Sequence, residues 1–213
     1  MPGLTAAQAK SMLLTVAQAV IENKEYLCQA DRNIGDGDHG IGMSNGFEAA
    51  QKELNAGEFM DVYQVFSTVG RTMIKVMGGA SGIIFGLLFY AGAKNMPPAA
   101  EIDQAGLAGI FEKALLEIQT KGQAKPGDKT LIDALDPMVA SMKTSAAAAA
   151  SFPDMLEAAA QAAESGKEAT RNYIAKLGKA KTLGERAIGY PDAGCVSLTV
   201  ITRAMSEWAK RNM

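Results

Sequence analysis

The sequence predicts an all-α protein. Three observations carry that prediction: apolar residues recur at helical spacing in segment after segment, strand alternation is hard to find, and glycine or proline breakers divide the periodic segments. Ala9, Leu13, Val16 and Val20 form the stripe of a first amphipathic helix. Val62, Val65, Val69, Met73 and Val76 repeat it, as do Leu107, Phe111, Ala114 and Ile118, and finally Leu198, Ile201, Met205 and Trp208. Breakers fall at Gly35 to Gly42, Ala56-Gly57, Gly78-Gly79, Pro97-Pro98, Gly122 to Gly127, Pro153 and Gly189 to Gly194. Together they predict about eight helices, near 4–30, 41–55, 59–76, 81–95, 102–120, 128–148, 153–177 and 192–211. Helices of this length joined by short loops pack antiparallel to their sequence neighbours. Ala146 to Ala150 reads as a helix end or connector, because alanine there commits to no contact. The long loop from Lys179 to Pro191 carries Lys179, Lys181, Glu185 and Arg186, and a loop of that length suits a lid.

Size and charge narrow the function. The 213 residues suffice for one filled core and are read as a single domain, 1–213. A net charge of −2 without a basic stripe argues against nucleic acid. Two cysteines, Cys28 and Cys195, fit a reducing compartment better than a disulfide scaffold. The first residues lack the basic and apolar regions of a signal peptide, and the most apolar run, Gly82 to Ala93, is too short to cross a bilayer. The expectation is a soluble cytoplasmic protein.

The chemistry is concentrated in Asp31-Arg-Asn-Ile-Gly-Asp-Gly-Asp-His-Gly-Ile-Gly42. Asp31, Asp36 and Asp38 stand on a glycine-rich backbone that lets short carboxylates converge. Converging carboxylates repel unless a cation joins them, and an all-oxygen set favours a hard ion such as Mg²⁺. The EF-hand pattern fails at its fifth, sixth and twelfth positions, and zinc would call for more than the one histidine, His39. A solvated turn of capping aspartates is the alternative. His39 reads either as a phosphate or ribose contact, as a phosphoryl carrier, or as a hydrogen-bonded structural residue.

Three more turns suit phosphate. Gly78-Gly-Ala-Ser-Gly82 runs into an apolar helix, whose first amides and Ser81 would form an anion cradle, unless it is an ordinary interhelical turn. Asp192-Ala-Gly-Cys-Val-Ser197 opens the last helix, where Asp192 also suits a plain N-cap. Gly122 to Thr130 nearly matches a P-loop, but Asp128 intrudes before Lys129-Thr130 and no strand precedes it, so a P-loop NTPase is rejected. Lys179 and Arg186 would neutralise phosphate charge or simply face solvent.

Five motifs occur in order: Asn33-Ile-Gly-Asp-Gly-Asp-His-Gly40, Gly78 to Gly82, Pro126-Gly-Asp-Lys-Thr130, Leu183-Gly-Glu-Arg186 and Asp192-Ala-Gly194. With them the chain resembles the L, or nucleotide-binding, subunit of dihydroxyacetone kinase. The resemblance implies an eight-helix antiparallel barrel that binds ADP or ATP in the loops at one end through two Mg²⁺ ions. It implies Asp31, Asp36 and Asp38 as metal ligands. His39, Gly40, Ile41, Gly42, Ala80, Ser81 and Gly122 would line the phosphates and nucleoside, and Leu131, Asp192, Ala193 and Gly194 would complete the adenine-side and loop contacts. Lys179 would act on the transferring phosphate, standing where related chains carry arginine; lysine keeps the charge but lacks the planar fork. Tyr190-Pro191 replaces a dipeptide that contains histidine. The implied activity is transfer of phosphoryl to a small ketose held by a separate K-type subunit, in a dimer or hetero-oligomer. Bound ADP would be either exchanged for ATP or retained and recharged by a phosphohistidine protein. A nucleotide-binding regulatory module without turnover is the alternative.

Overall fold

The computed structural model describes residues 3–213. A short strand β1 (Leu4–Thr5) leads into α1 (Ala6–Glu22) and α2 (Lys24–Arg32). Then come α3 (His39–Ala56), α4 (Val62–Met77), α5 (Gly79–Tyr90) and a second strand β2 (Glu101–Ile102). The chain continues through α6 (Gln104–Gly122), α7 (Ile132–Ala147), α8 (Phe152–Ala169) and α9 (Ala193–Asn212). The strands pair antiparallel, Leu4 with Ile102 and Thr5 with Glu101. The all-α prediction holds, with this two-residue pairing as its one addition among the described residues.

Caps explain most helix starts. Thr5 forms a capping box, its hydroxyl accepting from Gln8 N at 3.3 Å while Gln8 Oε1 accepts from Thr5 N at 3.0 Å. The Asp61 carboxylate caps α4 through Tyr63 N and Gln64 N, and also accepts from Ala99 N at 2.9 Å, which ties the α5–α6 connection to that helix start. Asp103, Ser151 and Asp192 cap α6, α8 and α9.

Packing follows the predicted stripes. α3 lies against α1 and α4, each later helix packs on its successor, and α9 returns to α1, so the order closes on itself. α2 rides on α3 and α9. Inside, Phe47 meets Phe89 and Phe66 meets Phe111 edge to face, with centroids 5.9 and 6.3 Å apart. Each fully buried side chain of this size contributes about 1.5–3 kcal/mol. Trp208 closes the circuit by donating Nε1–H to Ser11 Oγ at 3.0 Å. The predicted stripes are buried except Val76, which is 45% exposed because it sits in the last turn of α4, beyond the apolar interior.

Four helix boundaries and the long loop differ from the sequence expectation. The first helix breaks at Asn23, whose side-chain amide and backbone N–H both turn back to Ala19 O. The fourth stops at Tyr90 instead of 95, because the following turn runs close to α6: a Cβ on Gly92 would lie 2.1 Å from Ile110 O. The sixth starts at Ile132 instead of 128, since Gly127 and Lys129 both take positive φ. The seventh ends at Ala169 instead of 177, passing into a 3-10 turn, Thr170–Asn172. The predicted Lys179–Pro191 loop contains further 3-10 turns over Lys179–Ala187, kinked at Gly184. The alanine patch does end α7 and form the connector to α8.

Candidate functional site

Asp31, in the last turn of α2, organises the turn that follows it. Its Oδ2 accepts from Gly37 N at 2.8 Å and His39 N at 3.3 Å, curling the backbone around a largely buried carboxylate. That curl requires glycine at 35, where a Cβ would stand 2.2 Å from Asp31 Oδ1. Asp36 and Asp38 project from the same turn into solvent, and one oxygen from each of the three carboxylates lies within 4.8 Å of the others. It is the only cluster of this kind among the described residues. An all-oxygen set of three carboxylates fits a hard divalent cation.

Across from these carboxylates stands Lys179, from the long loop. Its Nζ donates to Asp36 and lies 3.7 Å from Asp38 Oδ1. The hydrogen bond to Lys179 holds the Asp36 carboxyl below its ordinary range, and the same bond raises the Lys179 ammonium.

The carboxylates border a cleft of about 370 Å³. Ala80 and Ser81 line one wall at the start of α5, a helix whose N-terminal amides receive no side-chain cap. Gly78 and Gly79 reach that start with φ of 65° and 60°, a conformation natural to glycine. Asp192, Ala193 and Gly194 line the cleft from the start of α9. Ile84, Phe85, Ile118 and Leu131 make the deep end apolar, and Gly122 joins them from the end of α6. The uncapped N-terminus of α5, an acidic mouth suited to a cation and apolar lining residues suit an anionic ligand with a flat hydrophobic part.

His39 borders this cleft, but its Nε2 lies 2.7 Å from Ser197 Oγ on α9. Burial pulls the ring below its ordinary pKa against the opposing charge of Asp31 and Asp38, so it favours the neutral form. Asp192 caps α9 by accepting from Cys195 N at 2.9 Å, and burial raises its carboxyl to about 6. Burial also pushes the Cys195 thiol well up, and Cys28 and Cys195 are both free and buried.

Ten of the residues implied for ligand or metal lie at the cleft surface: Asp31, Asp38, His39, Ala80, Ser81, Gly122, Leu131, Asp192, Ala193 and Gly194. Lys179 lies there too, and Asp36 joins through the carboxylate cluster. Gly40, Ile41 and Gly42 are not part of the cleft lining. Gly40 instead lets α3 pack on α2, since a Cβ there would meet Lys24 O at 2.2 Å. Ile41 faces solvent, 46% exposed. Arg186 also stays outside, its guanidinium bonded to Leu183 O. Sequence reasoning missed Lys129, buried in the cleft wall. The P-loop comparison drew attention to that turn but gave no reason to expect a buried ammonium.

A helical domain with an acidic, phosphate-suited cleft mouth is the class defined so far, and comparison with known proteins narrows it. The DAK2 domain model matches residues 33–207. The ADP-binding subunit DhaL of the PEP-dependent dihydroxyacetone kinase of Escherichia coli strain K12 is 33% identical over 207 residues, 97% of this chain and 99% of the relative. The ADP-binding subunit of PEP-dependent dihydroxyacetone kinase 1 of Listeria innocua is 37% identical over 191 residues, 88% of this chain and 89% of the relative. The crystal structure of the dihydroxyacetone kinase of C. freundii superposes with a TM-score of 0.74 at 24% identity. That alignment covers 94% of this chain but only 34% of the larger one, and it bears on the fold alone. The chain belongs to the DAK2 domain family, on the side of the dihydroxyacetone kinase L subunits. It stands among kinase subunits by that descent.

Proposed function

We propose that this chain is the nucleotide-binding subunit of a kinase that phosphorylates dihydroxyacetone or a related small ketose. One observation carries the reading: three carboxylates face a lysine across the mouth of a cleft lined by the uncapped N-terminus of α5 and by apolar residues. The ADP-binding relatives, matched over nearly their whole length, support it.

In this reading Asp31, Asp36 and Asp38 would hold two Mg²⁺ ions, which would neutralise charge on the phosphates. The uncapped amides at Ala80 and Ser81 receive the anionic part of ADP or ATP, while Asp192, Ala193 and Gly194 complete the adenine-side and loop contacts. The apolar residues around Leu131, with Gly122, take the base. His39 orients the start of α3 through Ser197 rather than carrying phosphate. Lys179 provides the mobile positive charge at the transferring group, a role of positioning and neutralisation that phosphoryl transfer chiefly demands. The ketose and its activating base belong to a separate K-type subunit docked over the mouth. Because both of these relatives are named PEP-dependent, ADP is read as a retained coenzyme recharged by a phosphohistidine protein.

Nucleotide content after extensive dialysis tests this directly. ADP that stays with the protein and leaves only with a Mg²⁺ chelator is the expected result, followed by ketose phosphorylation once a K-type subunit is added. Reversible ATP binding by an initially empty protein would shift the donor to ATP. Binding without turnover beside any K-type partner would favour the regulatory module, and no binding of either nucleotide would overturn the reading.

A further inference from the structure

The Lys129 side chain is nearly inaccessible, 1% exposed, and its ammonium donates to two backbone carbonyls from separate segments, Thr170 O and Tyr190 O, each at 2.6 Å. Those carbonyls flank residues 173–188, the loop that follows the Thr170–Asn172 turn and contains Lys179. The two flanking segments, the feet of this loop, are also joined directly: Gly189 N donates to Arg171 O at 2.8 Å, Arg171 Nη1 to Gly189 O at 2.8 Å, and Asp192 N to Thr170 Oγ1 at 2.9 Å.

The neighbouring residue grips the first arm of the loop. Asp128, itself buried, accepts from Lys176 N through its carbonyl at 3.1 Å and from Lys176 Nζ through Oδ1 at 2.9 Å. The turn bearing both residues is pinned from α7 by Asp133, which accepts from Gly127 N at 2.5 Å and Thr130 N at 2.8 Å. The turn holds Lys129 at a φ of 59°, a conformation that a lysine adopts only when its surroundings demand it. Burial pulls the ammonium below its ordinary pKa, but Asp192 and Asp133 oppose that pull while Arg171 adds to it.

The loop also has an apolar cluster of its own, Ala175, Ala180 and Ala187 with Ile34 and Ala193, set apart from the main interior. A segment with a separate small core and sewn feet is suited to open as a unit. It carries Lys179, so the position of its feet sets where that ammonium stands.

We propose that Lys129 is a positioning residue: its ammonium clasps the two feet of the 173–188 loop and so holds Lys179 over Asp36 and Asp38. The role assigned to Lys179 rests on the function proposed above, whereas the clasp itself does not. A buried cation bridging two carbonyls from different segments is costly unless it satisfies both, and an apolar side chain would fill the space without joining them.

Hydrogen exchange on the full chain, as wild type and Lys129→Met, tests the clasp. The amides of Lys176, Gly189 and Asp192 should exchange at least tenfold faster in the variant, while those of α4 and α6 keep their rates. Unchanged loop amides, or equal acceleration everywhere, would overturn the proposal. Should the variant not fold, acetic anhydride labelling of the wild type tests the same clasp. Lys129 should be protected from labelling by about the same factor as the loop amides are from exchange. Labelling as fast as that of exposed Lys176, or only on global unfolding, overturns it. With a K-type subunit present, the folded variant should lose about tenfold in kcat at saturating nucleotide with KM for the ketose unchanged. A loosened loop with full kcat would break the link to Lys179. A wild type that binds no nucleotide would overturn the functional reading and leave the exchange result standing.

Discussion

Lys179 occupies with its ammonium the space between the Asp36 and Asp38 carboxylates, donating to the first and lying 3.7 Å from the second. The divalent ion proposed for Asp31, Asp36 and Asp38 would draw on the same carboxylates, so the lysine and the metal would compete. Removing the lysine in Lys179→Ala should therefore strengthen Mg²⁺ binding to the nucleotide-free protein. The pair is exposed to solvent, which screens it, so the gain should be modest, about two- to fivefold in affinity. Isothermal titration with Mg²⁺ alone measures it. Weaker binding in the variant would mean that the lysine helps to build the metal site instead of contesting it.

Two glycines of the aspartate motif separate function from fold. Gly35→Ala places a methyl 2.2 Å from Asp31 Oδ1 and must displace the carboxylate. Metal and nucleotide retention should fall more than tenfold, while the helical interior, which Gly35 does not touch, stays folded. Gly40→Ala instead drives a methyl into Lys24 O at 2.2 Å and Cys28 N at 2.7 Å, forcing α3 away from α2. It should cost about 1–3 kcal/mol of stability. Denaturant melts paired with a nucleotide-retention assay separate the two; equal losses of both properties in both variants would contradict the division.

His39 should carry no phosphate. Its Nε2 is engaged by Ser197, and its ring is held neutral by burial. Incubation with a phosphohistidine donor should leave no acid-labile phosphate on this chain, and Ser197→Ala should free the ring yet leave its pKa below the ordinary value, because burial sets it. The depressed folded value has a sign for stability. The unfolded chain takes up the proton first as pH falls, so the contribution of His39 is complete above about pH 6.5 and declines as the pH drops through the lower folded value. NMR titration of the single histidine reads both effects.

The helices were legible because their stripes are periodic and their caps local: Thr5 with Gln8, Asp61, Asp103 and Ser151 all act within one turn. The breaks that local pattern missed are set at a distance. Lys129 takes the Thr170 carbonyl across the fold, where α8 gives way to a tighter turn, and Asp133 bends residues 127–130 out of the helix they resemble. The candidate site divides the same way. Asp31, Asp36 and Asp38 converge because one short turn holds them, so spacing reveals them. Gly40 is written in the same motif, yet its neighbours are Lys24 and Cys28 on the preceding helix, which no spacing discloses.

The cleft carboxyl of Asp192 gives the last test, because its shift opposes that of His39. Burial raises its folded pKa to about 6, against 3.8 for an ordinary aspartate. The folded protein therefore binds a proton that the unfolded chain has lost between those values. The stability Asp192 contributes is complete below about pH 3.8 and is lost as the pH rises through about 6. In Asp192→Asn the side chain would not titrate and would still cap α9, since an amide oxygen accepts the Cys195 N–H as the carboxylate does. The variant should thus match the wild type near pH 4 and exceed it increasingly up to about pH 6–7, above which the difference becomes constant. Denaturant unfolding of both proteins at each pH isolates this group and its charge interactions with Lys129, Asp133 and Cys195, because His39 and the more distant titrating residues are common to the pair and cancel. Parallel stability curves from about pH 4 to 7 would show that the carboxyl ionises in the fold as easily as in water, and that the start of α9 at the cleft wall is wetter than its packing indicates.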